Sequence, residues 1–521
     1  MSQRSRMVRV MAGALLVALV PLVTSGSAPL LDFSAIPVTS RGDSEGEAGA
    51  LLAPSAGGVP EPPFGPRPVC GTSLVVGASS PPARAVRVPA GDNSKVDLSR
   101  SNTVYWFAPG THTVSGRAFF AEAGTNSSYL GAPGAILDGK NRVSFAFVGG
   151  SSGARVQHLT IRNFGVEGGN KNVAAVNRDG GDGWIVRGNT ITQNAGAGVR
   201  AGSNSVTADN CLSDNGQLGL MSYDGDAGVF NISVTGNEIA GNNRDDWSRR
   251  EPGCGCAAGA KFWNTENAKV EGNYVHSNRA TGLWADTNNR GFRFANNYIS
   301  DNDSFGIMYE ISYNAQIVDN VLVRNGLVRG PTDPAFPTSA IYISESGSDP
   351  RVNTAYSSVF MIERNFLANN WSGVTLWEDS ARFCSSPANP SKNYCTLVNP
   401  RANLNACRNA SPNSAIAWDC RWRTQRVRVV DNVFISQQSV LGPQCTPARG
   451  CGFNAVMAGG SRFGVNSPLV PEDIQNSLVR NQGNVFTDNR YWGNWQFMGP
   501  RQGVAVSLEL WPEVAGTGGT K

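Results

Sequence analysis

The sequence predicts an all-β fold, a single-stranded right-handed parallel β-helix, and three observations carry that prediction. A pair of asparagines five residues apart recurs through the middle of the chain. Glycine is abundant, at 60 of 521 residues, while only 16% are charged, which suits a turn-rich β protein. No long amphipathic helical pattern interrupts the repeats.

The asparagine pairs are Asn189/Asn194, Asn210/Asn215, Asn237/Asn242, Asn273/Asn278, Asn297/Asn302 and Asn320/Asn325. Later copies carry Asn365/Asn370 and Asn432, with Asn484/Asn489 as the expected last unit. The first six leading asparagines are spaced 21, 27, 36, 24 and 23 residues apart, so the basic period is near 22 with insertions in particular turns. Short strands at that period match one coil of a β-helix; the Leu-x-x-Leu-x-Leu signature of leucine-rich repeats, which have a similar period, is absent. Each coil places an aliphatic residue (Ile191, Leu212, Ile239, Val275, Ile299) over its counterpart in the next. Each such burial contributes roughly 1.5–3 kcal/mol. The asparagines are read as structural: they tolerate left-handed backbone, and their amides can bond to adjacent coils as corner ladders. Parallel strands joined by crossovers are expected to wind right-handed.

With Val104-Tyr105-Trp106-Phe107, Ala135-Ile136-Leu137-Asp138-Gly139 and Val156-Gln157-His158-Leu159 upstream of the repeats, the chain resembles the bacterial right-handed parallel β-helix proteins, pectate-lyase-like and polygalacturonase-like enzymes among them. The likeness runs from about residue 85 to 500. It implies the fold but not a reaction, since that superfamily hosts lyases, hydrolases, epimerases, tailspikes and adhesins.

The N-terminus reads as a secretory signal peptide, residues 1–28. Arg4, Arg6 and Arg9 precede an apolar run from Val10 to Val23, followed by small residues. That run is shorter than the ~20 residues a membrane span needs, so no span is expected after its removal. Residues 29–69, rich in Pro, Gly, Ala and Ser, read as a flexible linker; the β-helix domain is placed at 70–512 and a disordered tail at 513–521. Without residues 1–28 the chain carries 41 basic and 40 acidic residues, a balance that gives no long-range attraction for nucleic acid. Ten cysteines in an exported chain point to disulfides. Cys384/Cys395, Cys407/Cys420 and Cys445/Cys451 are expected to pair locally, while Cys254-Gly255-Cys256 is a candidate half metal site or part of a disulfide.

A glycine or alanine after the second asparagine introduces a further strand whose side chains alternate in and out. Aligned on that residue, one outward column reads Arg200, Met221, Lys261, Trp284, Met308, Tyr342, Thr375, and the other Gly202, Tyr223, Trp263, Asp286, Glu310, Ser344, Trp377. Aromatic rings beside carboxylates suit a sugar, whose C–H faces stack on rings and whose hydroxyls bond to acids. Asp286 and Glu310 fall on successive coils, with backbones ~4.8 Å apart. Carboxylates that close split their pKa values, as glycosidic cleavage requires. The expected catalytic group is therefore Asp286, Glu310, Glu345 and Lys261. The expected substrate contacts are Tyr223, Trp263, Trp284, Tyr309, Tyr342, Trp377 and Glu378. Lys261 is read either as a base or as a salt-bridge partner of Asp286, and Ca²⁺ on stacked acids is the alternative use of the carboxylates. The insertion from Asn243 to Cys256, with Trp247, is expected to overhang this groove.

The three histidines have no neighbouring His or Gly-x-Ser-x-Gly partner, which argues against metal- and serine-hydrolase readings. The Asp-Pro-His-Asp tetrad of alginate-epimerase relatives is missing. The reading is a secreted glycoside hydrolase acting on a polysaccharide. The alternatives are a polysaccharide lyase acting on uronate glycans and a non-catalytic glycan-binding adhesin.

Overall fold

Each repeat folds into three short strands joined at tight corners, as in Ile185–Arg187, Thr190–Thr192 and Ala197–Ala201. Each strand pairs in parallel with its counterpart one coil later, Val206–Ala208, Cys211–Ser213 and Leu218–Ser222. The computed structural model describes residues 58–333, 336–352, 359–384, 386, 395–459, 469–498 and 505–506. The signal segment, the linker before residue 58 and the tail expected at 513–521 lie outside them. Among the described residues, repetition of the coil builds sheets of 14, 13 and 11 strands, with a two-stranded sheet (Phe119–Glu122 and Phe145–Val148) before the third sheet begins at Ala174–Val176. The last pairing, Gln496–Met498 with Ala505–Val506, is antiparallel.

The interior is a continuous apolar stack. Ile191, Leu212, Ile239, Val275 and Ile299 pair in successive registers of the second sheet and are fully buried. The helix Pro471–Arg480 sets Leu478 and Val479 into the same core near the C-terminal end.

The asparagines form two ladders. In the first, the Oδ1 of each residue accepts from both the backbone N–H and the Nδ2 of the asparagine one coil earlier, as in Asn273 to Asn297 at 3.0 Å for both bonds and Asn297 to Asn320 at 3.0 and 2.9 Å. Two details differ from the sequence reading. The left-handed conformation belongs not to the ladder asparagines but to the residue before each: Asp209, Gly236, Gly272, Asn296, Asp319 and Arg364 all have positive φ. That residue makes the corner, which frees the asparagine to turn its amide inward. The final unit is also shifted, because Asn432 bonds to Asn489, whereas Asn484 accepts from Val427 N–H one corner earlier.

All ten cysteines are paired, the three local pairs as expected and the others as Cys70–Cys211 and Cys254–Cys256. The Cys254–Cys256 bond replaces the metal alternative. Cys70–Cys211 belongs to a strap on the outside of the second sheet. The Phe64 ring meets Tyr298 at 6.4 Å, and the Val69 and Cys70 N–H groups donate to Glu238 Oε2 at 2.7 and 2.8 Å. His276 holds the other Glu238 oxygen at 3.1 Å. Burial alone would raise the Glu238 pKa, but His276 and the two amides hold it below the ordinary value. Phe64 and Val69, expected in a flexible linker, thus belong to the folded unit: the Phe64 ring contact and the Val69 N–H bond, next to the Cys70 disulfide, give them partners that composition does not reveal.

Candidate active site

The third sheet carries the two columns. Its strands Ala258–Trp263, Thr281–Asp286, Ile307–Glu310, Ser339–Ser344 and Ser372–Asp379 are consecutive neighbours. Lys261 pairs with Trp284, Trp284 with Met308, Met308 with Tyr342 and Tyr342 with Thr375. In the second column Trp263, Asp286, Glu310, Ser344 and Trp377 follow one another. Inward positions Leu283, Ala285, Ile307, Ile341, Ile343 and Leu376 are fully buried in the core. The glycines that open these strands have a steric cause. A Cβ on Gly282 would lie 2.7 Å from the Gly306 carbonyl oxygen, and one on Gly306 would lie 2.8 Å from that of Ala340.

Asp286 and Glu310 sit in unlike surroundings. Asp286 Oδ2 is ion-paired with Lys261 Nζ at 2.8 Å, and its Oδ1 accepts from the Thr287 hydroxyl at 2.8 Å. Lys261 also donates to the Gly255 carbonyl and lies 3.7 Å from the centre of the Trp284 ring. Glu310, 5% exposed, accepts from Trp284 Nε1 at 3.0 Å and stands 3.4 Å from Arg382 Nη1. Burial pushes its carboxyl up to about 7 against the pull of Arg382, and the negative neighbours Asp286 and Glu345 add to the rise. Glu345 is almost wholly buried behind Glu310. It accepts from Arg382 Nη1 at 2.8 Å and from Asp379 N–H at 2.6 Å.

Around this centre Tyr223 and Trp263 pack ring to ring at 5.1 Å, with Tyr223 exposed. Tyr342 is stacked on Phe305 at 4.9 Å, and the Phe336 ring stands edge-on to both Tyr342 and Trp377. The sequence reading missed Arg382, Phe305 and Phe336: Arg382 and Phe336 stand in insertions that no period marks, and Phe305 directly precedes the glycine on which the strands are aligned.

Two expected contacts are corrected. Tyr309 is fully buried, points into the core and donates its hydroxyl to the Tyr313 carbonyl at 3.0 Å. Glu378 is also interior, ion-paired with Arg421 and accepting from Gln482 Nε2 at 2.6 Å. Both occupy inward phases of the two-residue alternation, so neither can touch a ligand in the groove. Trp247 is likewise buried, packed with Cys254, Cys256, Ala257 and Ala280. Of the insertion it belongs to, Gly255 reaches the groove, where a Cβ would lie 3.2 Å from the Trp284 ring.

Ca²⁺ does not fit this arrangement, because Asp286, Glu310 and Glu345 are each engaged by Lys261 or Arg382. Among the described residues, the three potential ligands that converge are Cys384, Cys395 and Cys407, whose sulfurs are already in disulfides.

The profile of the family described as "Right handed beta helix region" matches residues 172–360, the stretch that contains Lys261, Asp286, Glu310 and Glu345. The fold is a right-handed parallel β-helix. A search of curated proteins returned no match. Among solved structures, the A-module of the Azotobacter vinelandii mannuronan C-5 epimerase AlgE6 is 12% identical, with a TM-score of 0.39, over 79% of this chain and 89% of that one. The periplasmic alginate epimerase AlgG is 12% identical, with a TM-score of 0.34, over 78% and 83%. The Geobacillus virus E2 protein ORF18 is 12% identical, with a TM-score of 0.24, over 53% and 52%. At such identities and scores these likenesses carry no argument about what this chain acts on.

Proposed function

We propose that the chain is a secreted glycoside hydrolase that cleaves a polysaccharide laid along the third sheet, with Glu310 as general acid and Asp286 as the partner carboxylate. The observation that supports it is the unequal pair: two carboxylates in register on adjacent coils, one buried and holding its proton to about pH 7, the other ion-paired with lysine. Glu310 would give its proton to the glycosidic oxygen as the bond to the anomeric carbon breaks. Asp286 would stabilise or attack that carbon from the opposite side, then yield to water, which Glu310, now ionised, deprotonates. The ~4.8 Å spacing of the strands favours retention of configuration. Lys261, bonded to Asp286, serves the pair as counter-ion, which argues against the lyase reading in which it acts as a base. Trp284, half-buried between the acids and Lys261, would carry a sugar ring, with Trp263 and Tyr223 extending the platform. The pairing of all ten cysteines fits an oxidising compartment, and no helix among the described residues is long and apolar enough to cross a membrane.

Purified protein on a panel of polysaccharides, with and without chelator, tests the reading. New reducing ends without an ultraviolet-absorbing unsaturated product are expected, and chelator should not matter. An unsaturated product would identify a lyase; binding without any product would identify an adhesin. On a confirmed substrate, Trp284→Ala is expected to raise KM about tenfold or more, the cost of roughly one base-sized stacking contact, with a smaller change in kcat. An unchanged KM would remove Trp284 from the platform.

A further inference from the structure

We propose that Glu345 is a positioning residue, which draws the Arg382 guanidinium toward itself and so weakens its hold on Glu310. One nitrogen, Arg382 Nη1, faces two carboxylates, at 2.8 Å from Glu345 Oε2 and 3.4 Å from Glu310 Oε1. The shorter contact is supported on every side: Glu345 also accepts from the Asp379 N–H and the Ser344 hydroxyl, and Arg382 itself donates to Ser344 Oγ at 3.3 Å. The backbone contributes as well. Glu345 directly follows the strand Ser339–Ser344 with φ +45°, a left-handed conformation uncommon for a glutamate. Strain of that kind persists where surrounding contacts over-determine it, and it turns this carboxylate behind Glu310 instead of out along the groove.

The consequence follows from charge. The groups that act on Glu310 are Arg382 from the loop after Ser372–Asp379, Asp286 and Trp284 from the preceding strand, Lys261 one strand further back, and Glu345. Tyr342 lies on the following strand beside it, where burial, and after it the charge of Glu310, raises its phenol. With Glu345 ionised, Arg382 is shared and Glu310 meets one more negative neighbour; both effects favour its neutral form. Neutralising Glu345 leaves Glu310 as the nearest carboxylate for Arg382 and removes one repulsion, so both changes favour ionised Glu310. The direction is unambiguous because the two add.

Sharing Arg382 between Glu345 and Glu310 requires a titrating Glu310 but no turnover; that Glu310 then acts as a general acid rests on the hydrolase reading. The test is a carboxyl-carbon NMR titration of the full chain, with the Glu310 signal identified by its loss in Glu310→Gln. In Glu345→Gln the Glu310 midpoint is expected to fall by at least about one pH unit, the lower end of what a close opposite charge produces. In Arg382→Gln it is expected to move the other way. An unmoved or rising midpoint in Glu345→Gln overturns the proposal. If that variant does not fold, an unmoved or falling midpoint in Arg382→Gln overturns it equally. On a cleaved glycan, the alkaline limb of kcat should shift down with the titration in Glu345→Gln. If no glycan is cleaved, the hydrolase reading fails while the titration still decides the role of Glu345.

Discussion

Glu310→Gln is expected to lower turnover on a confirmed polysaccharide by at least about a hundredfold, the scale of a lost general acid, and at the same time to make the protein more stable above pH 7. The second effect follows from linkage. In the unfolded chain this carboxyl loses its proton near the ordinary glutamate value of 4.5, whereas in the folded chain it keeps it to about 7. Between those two values the folded state binds more protons, so stability falls as pH rises through the window. Below 4.5 both states are protonated and the contribution is fully present; above 7 the folded chain carries an ionised acid in a buried place. Glutamine keeps the size and the bond from Trp284 Nε1 and never ionises. Melting curves at pH 5 and pH 8, read beside initial rates, check both parts. The variant should gain at pH 8 and change little at pH 5. Wild-type turnover in the variant would end the role of Glu310, and a loss of stability at pH 8 would show that the ionised form is held by Arg382 as a structural pair.

Asn297→Ala is expected to cost on the order of 3 kcal/mol or more, because it leaves buried groups without partners at a dry corner. Asn297 is fully buried in the middle of the first ladder. Its Oδ1 accepts two bonds from Asn273, and its Nδ2 donates to the Val270 carbonyl at 2.9 Å and to Asn320 Oδ1 at 2.9 Å. Alanine removes all of these and strands the Asn273 N–H and the Val270 carbonyl. The corner lies one element away from Asp286 and Glu310, so the loss should appear first as a lower urea midpoint and only then as lost activity. An unchanged midpoint would mean that water replaces the amide at little cost.

The sequence alone carried the architecture, since a coil that buries the same face at every turn must repeat its pattern. The asparagine spacing, the stacked aliphatics and the glycines near the start of several strands of the third sheet are all answers to contacts with the next coil, such as the Gly282 approach to the Gly306 carbonyl. The same period gave the register that brings Lys261, Trp284, Asp286 and Glu310 together. Tyr309 and Glu378 are legible as interior by that alternation, since each falls one residue out of phase with the outward columns. The tertiary structure alone decided the rest. Arg382 reaches the acids from a loop outside the repeat, Cys70 closes on Cys211 across 141 residues, and Phe64–Val69 lie along the outer sheet instead of hanging free. The difference is physical. Stacked coils repeat one environment and impress it on the sequence as a period, whereas an insertion or a strap makes a contact once, through charges and hydrogen bonds that leave no spacing to read.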